Sequence, residues 1–187
     1  LTHVWRKPLP LVLKEKLMDR IGASTTWRWY GYDHAWTTID GLKMQSVTGG
    51  GHSGAGMFIS TEDMARFGLL CLNEGTWDGV EILTDKTYFT EMTNTSQDLN
   101  PSYGYLWWLN GKSSYKAPSF EASINGELMP EAPSELIAGL GAFDQKLYLI
   151  PSKNLVIVRL GDDAGESQLG PSSFDNQLWE KLNAYID

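Results

Sequence analysis

An α+β fold is what this chain predicts, and three features carry the prediction. Asp40-Gly41 stands between two strand-like segments, residues 35–39 and 42–47, which is a type I′ hairpin signature. Residues 147–150 and 154–160 flank Pro151-Ser152-Lys153 as a second hairpin, with β-branched residues in its second strand. Two segments with apolar residues at helical spacing each begin with Ser-x-x-Asp, at Ser60 and at Ser172. The expected architecture is an antiparallel sheet built from the C-terminal hairpin and neighbouring strands. The Met64/Phe67 helix and the Leu178/Trp179 helix would cover it. No internal repeat or linker divides the chain, so residues 1–187 read as one domain.

Taken in order, residues 1–5 read as the end of a helix already under way, broken by Pro8 and Pro10. Residues 11–18 then resume an amphipathic turn or two. With no initiator Met and no signal peptide, Leu1 is expected not to be the natural start. Residues 27–34 (Trp27, Trp29, Tyr30, Tyr32 among them) show neither period and read as an aromatic loop. The Asp40-Gly41 hairpin leads into residues 49–56, which hold five glycines, too many for a helix or regular strand. Met57-Phe58-Ile59 is a short strand. Ser60 and Asp63 form a capping box, and Met64, Phe67, Cys71 and Leu72 line one helical face that Gly75 ends.

Residues 76–80 form a tight turn, and Thr84 is expected to cap a short helix from Asp85 to about Met92. Residues 103–109 read as an aromatic strand ended by Asn110-Gly111. Residues 112–134, with three prolines and no period, read as a solvated loop that can rim a pocket. In the last helix Phe174, Leu178, Trp179, Leu182 and Ile186 fall on one side.

Composition removes several functions. A formal net charge of −8 makes a phosphate backbone an improbable partner, so nucleic acid is not expected. Hydrophobic residues are 42% of the chain but form no run long enough for a membrane span. Cys71 is single, and His3, His34 and His52 are dispersed, so neither a metal site nor a cofactor is expected. Gly49-x-Gly51-x-x-Gly54 matches a dinucleotide fingerprint literally, but the next helix starts only near Ser60. Ser113-Ser114-Tyr115-Lys116 matches Ser-x-x-Lys, yet it lies between Asn110-Gly111 and Pro118, where turn chemistry dominates.

Two long words carry a family resemblance: residues 44–79, MQSVTGGGHSGAGMFISTEDMARFGLLCLNEGTWDG, and residues 139–162, GLGAFDQKLYLIPSKNLVIVRLGD. They resemble the C-terminal part of the serine β-lactamase-related hydrolases, which include class C β-lactamases, DD-peptidases and esterases. The resemblance implies a partial β-lactamase/DD-peptidase-like fold without its N-terminal strands and nucleophile-bearing helical region. It implies a parent that hydrolyses a small ester or amide through an acyl-enzyme. The nucleophilic Ser, Lys and Tyr would lie in a missing N-terminal half, expected as a further segment, a second chain or a swapped neighbour. The family's Lys-Thr-Gly strand corresponds here to Gly139-Leu140-Gly141-Ala142-Phe143, which lacks the Lys and Thr and so favours an esterase or amidase over a lactamase.

On this reading the backbone N–H groups of Ala142 and Gly141 are the oxyanion donors, since a backbone donor needs no side chain. Trp27, Trp29, Tyr32, His52 and Phe143 would wall the substrate pocket. By resemblance alone, an extracytoplasmic setting is favoured. The rival expectation is a non-catalytic module that binds cell-wall peptide or carbohydrate through the aromatic segment.

Overall fold

The computed structural model describes residues 1–47, 55–118, 120–164 and 170–186. In chain order these form α1 (Thr2–Trp5), α2 (Leu9–Leu13) running into a π-helical turn (Lys14–Met18), β1 (Arg28–Tyr30), β2 (Trp36–Ile39), β3 (Leu42–Gln45) and β4 (Gly56–Phe58). Next come α3 (Thr61–Leu72), β5 (Thr76–Trp77), β6 (Val80–Glu81), α4 (Lys86–Met92), β7 (Trp108–Leu109), β8 (Ser114–Tyr115) and β9 (Ile124–Asn125). The chain closes with β10 (Ile137–Leu140), β11 (Lys146–Ile150), β12 (Leu155–Arg159) and α5 (Ser173–Leu182). The result is a mixed α and β architecture with small antiparallel sheets, the largest in the order β12-β11-β10-β7.

Helices cover that sheet on both faces, and the side-chain alternation of β11 shows how. Leu147 and Leu149 point into a cluster with Cys71, Phe89 and Met92, to which Met64 and Phe67 of α3 contribute. Tyr148 and Ile150 point the other way, into a cluster with Trp108, Leu136, Ala138 and Trp179 of α5. A strand buried on both faces reads as a continuous apolar run. α3 lies close because Gly68 has no side chain: a Cβ there would stand 2.7 Å from Val156 and 2.8 Å from Leu147. A mid-helix glycine costs about 1 kcal/mol of propensity, which the close approach offsets.

Local expectations fared unevenly. Asp40 (φ 52°) and Gly41 (φ 78°) form the type I′ turn, pairing β2 with β3. Only half of the box at Ser60 forms. Its Oγ accepts from the Asp63 N–H, but the Asp63 carboxylate turns to the Ser24 N–H (2.9 Å) and Oγ (2.6 Å), stapling α3 to the segment before β1. At Ser172 the box is complete. The cap of α4 is Asp85, which accepts from the Tyr88 N–H, rather than Thr84.

Three readings are corrected. The aromatic run is not all loop, because Arg28–Tyr30 is a strand paired with Gly56–Phe58. The strand expected over 103–109 shrinks to Trp108–Leu109, since residues 104–107 turn back and Leu106 sits at φ 67°. Residues 112–134 are not a solvated loop: Leu128, Met129 and Ala132 enter the core beneath α5. The Asn110 side chain clips that segment in place, donating to the carbonyls of Met129, Ala132 and Pro133 and accepting from the Met129 N–H.

Candidate functional site

The end of β10 opens onto a cavity of about 480 Å³. Its floor is Gly139–Gly141 with Gln145–Leu147, its walls are Met64 and Phe67 of α3 and Tyr88 of α4, and Tyr105–Trp107 and Leu160 complete it. The Tyr88 and Tyr105 rings stand 6.2 Å apart, tilted at 36°. The lining is mostly apolar, with a few polar groups, Gln145 and Lys146 among them, which is the usual composition of a small-molecule site. Gly139 is not forced by packing: a Cβ there would rest 3.7 Å from that of Leu147, an ordinary contact. Its bareness instead keeps the floor open. At Gly141 a Cβ would press on that of Gln145 at 3.1 Å, so crowding contributes there.

The sequence-derived candidates separate in space. Gly141 lines this cavity, and its N–H already donates to the Gln145 carbonyl at 2.8 Å. Ala142 and Phe143 follow in the turn between β10 and β11, with Phe143 49% exposed at φ 55°. Trp27 and Trp29 line a different and smaller cavity of about 260 Å³, together with Pro10, Arg28 and Tyr30. Trp27 is buried in the cluster around Ile21 and Leu70, against which Trp29 packs. Tyr32 is exposed, and His52 with the glycines at 49–51 and 54 lies outside the described residues. Among the described residues, no three His, Cys, Asp or Glu side chains gather where they could hold a metal ion.

Sequence reasoning missed a charged cluster behind the turn. Lys146 opens β11 fully buried, on the α5 face. Its three N–H protons meet Asp175 Oδ2 (3.0 Å), Asp144 Oδ1 (3.1 Å) and the Gly170 carbonyl (3.2 Å). The Ser172 hydroxyl donates to Asp144 Oδ1 at 2.7 Å, and the Ala164 N–H donates to Asp144 Oδ2 at 3.0 Å. The Tyr148 hydroxyl donates to Asp175. Burial, and then the Asp175 charge, push the Tyr148 hydroxyl far above its ordinary value. A lysine opening an otherwise apolar strand was the only advance signal.

This cluster brings a serine, a lysine and a tyrosine together, yet its geometry is structural. Ser172 caps α5 and donates to Asp144, while Lys146 Nζ already donates to two carboxylates and a carbonyl. Ser113 and Lys116 bracket β8, so the one-turn helical spacing of Ser-x-x-Lys is absent there. Cys71 is no better a nucleophile, because burial pushes its thiol up to about 12.

The cluster makes acid stability testable. Burial alone would raise the Asp144 carboxyl, but the Ser172 hydroxyl, the Ala164 N–H and Lys146 hold it below its ordinary value of 3.8. A carboxylate with a depressed folded value contributes stability that is present above 3.8 and lost as pH falls through the folded value. Tm is therefore expected to hold from neutrality to about pH 5 and to fall below about pH 4. Asp144→Asn should flatten the fall without abolishing it, because the Asp63 carboxyl is depressed too. Thermal melts across pH decide this, and an Asp144→Asn curve parallel to the wild type would exclude the carboxylate as a source.

No family model matches the chain. An uncharacterized protein of Alkalihalophilus pseudofirmus is 26% identical over 160 residues, covering 83% of this chain and 40% of that protein. A solved structure from Bacillus anthracis, provisionally named a 6-aminohexanoate-dimer hydrolase, superposes with a TM-score of 0.61 at 21% identity. That match covers 99% of this chain and 39% of the other, so the two share a fold over nearly all of these residues. The chain spans about 40% of the length of each of these two proteins.

Proposed function

We propose that this chain forms part of a serine hydrolase that cleaves a small ester or amide through an acyl-enzyme. In this reading it supplies an oxyanion donor and the apolar wall of the pocket, and the nucleophile with its Lys and Tyr comes from sequence outside these residues. The observation that carries it is the cavity floored by Gly139–Gly141, at the strand end that resembles the family's Lys-Thr-Gly edge. With the Gly141 N–H engaged by Gln145, the donor proposed is Ala142. A tetrahedral intermediate held by such a donor gains about 3–4 kcal/mol relative to one without it. The hydrolase name carried by the structural neighbour agrees with this class of reaction.

Two further features support a fold completed by more chain. Among the described residues, the outer edge of β12 pairs with no strand, and an open edge is a template for another. The cavity is also open rather than closed by the elements around it, with Leu106 82% exposed at its rim. The rival, a non-catalytic module for cell-wall peptide or carbohydrate, has less to stand on, because Trp27 is committed to the core.

A fluorophosphonate probe on the intact protein, followed by peptide mass spectrometry, tests the proposal. The expected result is one labelled serine outside residues 1–187, with no labelling of these residues alone. Label on a serine within them, Ser172 above all, would overturn it.

A further inference from the structure

The turn joining β10 to β11 is held in a conformation its own residues disfavour. Phe143 (φ 55°) and Asp144 (φ 56°) are consecutive non-glycine residues in the left-handed region, at a cost of roughly 1–2 kcal/mol for Phe143 and less for Asp144, because aspartate enters that region more readily. Such strain persists only where the surroundings over-determine it. Packing of the tip does not, since Phe143 is half exposed. The anchor is the buried Asp144 carboxylate, gripped by Lys146 from β11, Ser172 from the cap of α5, and the Ala164 N–H. Its backbone carbonyl accepts from Arg159 of β12 at 2.9 Å. Gln145 closes the other flank, donating to the Phe143 carbonyl and accepting from the Gly161 N–H at 3.0 Å.

We propose that Asp144 is a positioning residue: its buried carboxylate holds the 141–145 turn in its left-handed form and so sets the position of the Ala142 N–H, which follows the cavity-lining Gly141 in the chain. The inference rests on the reading of that N–H as an oxyanion donor. The carboxylate touches no substrate in this scheme and acts through the backbone two residues earlier.

Three variants of the intact protein test it. Asp144→Asn keeps the tolerance for the left-handed region and removes the charge, Asp144→Gly removes the anchor and the strain at 144 but not that at Phe143, and Asn110→Ala lowers stability away from the cavity. Turnover of a p-nitrophenyl ester and chymotryptic cleavage after Phe143 are both followed. Asp144→Gly is expected to lower kcat by about 10²-fold with KM little changed, and to speed cleavage after Phe143. Asp144→Asn should fall between it and the wild type, while Asn110→Ala keeps kcat at a temperature where it is folded. Wild-type kcat in Asp144→Gly would overturn the inference, whatever the cleavage rate. If the intact wild-type protein turns over neither esters nor amides, the functional reading fails. Cleavage after Phe143 then decides alone whether Asp144 anchors the turn, an unchanged rate refuting it.

Discussion

Lys146→Met is expected to lower the unfolding free energy by about 3–5 kcal/mol, the usual penalty for removing one partner of a buried ion pair. The side chain fits the space, so the loss is electrostatic. Asp144 and Asp175, both buried, would lose the cation that stands 3.1 Å from one and 3.0 Å from the other. Chemical denaturation at pH 7 measures this through a shifted midpoint with unchanged slope. The triple variant with Asp144→Asn and Asp175→Asn should recover part of the loss, because a neutral hydrogen-bonded cluster leaves no uncompensated charge. A single Lys146→Met variant within about 1 kcal/mol of the wild type would show that water or the Ser172 hydroxyl already compensates the two carboxylates.

Asn110→Leu is the second large effect, expected at about 3–4 kcal/mol. Two amide protons of Asn110 are shared among three carbonyls at 3.0–3.2 Å, and its Oδ1 receives the Met129 N–H at 2.9 Å. Leucine has similar volume and none of these groups, so several backbone atoms lose their partners where solvent is scarce. Each unsatisfied buried group costs about 1–3 kcal/mol, discounted here because Gly126, Glu127, Pro130 and Glu131 of the same segment are exposed, so water is near. Denaturation gives the magnitude, and hydrogen exchange at the Met129 amide gives the place. Asn110→Asp should also destabilise, because it keeps one acceptor but sets a charge against three carbonyl oxygens. Undiminished protection at Met129 in Asn110→Leu would mean that the segment is held by Leu128 and Ala132 packing alone.

Features decided within a few residues were legible in advance. The Asp40-Gly41 turn, the hairpin around Pro151-Ser152-Lys153, the complete box at Ser172 and the end of α3 near Gly75 all rest on contacts within about five residues. Pattern and propensity speak at that range. Two errors were local, the α4 cap and the strand at 103–109, but the larger ones lie where a partner is distant in sequence. Asp63 left its capping box for Ser24, 39 positions away. Arg28–Tyr30 became a strand only because Gly56–Phe58 lies beside it. Residues 112–134 looked solvated because the buried Leu128, Met129 and Ala132 follow no period. The cavity mixes α3, α4 and the β10–β11 turn with Tyr105–Trp107, and no local signal joins those stretches.

From its residues alone, then, the chain determined a mixed α and β fold, the Asp40-Gly41 turn, the cap of α5, and the glycine-bearing strand end that the cavity is built on. Tertiary structure decided which aromatic side chains wall that cavity, sending Trp27 to the core instead. It also decided that Lys146, Asp144 and Asp175 meet in the interior. The reason is physical: caps and turns satisfy backbone groups nearby, whereas a buried charge is tolerable only beside counter-charges, and one of the two that meet Lys146 lies 29 residues further along the chain.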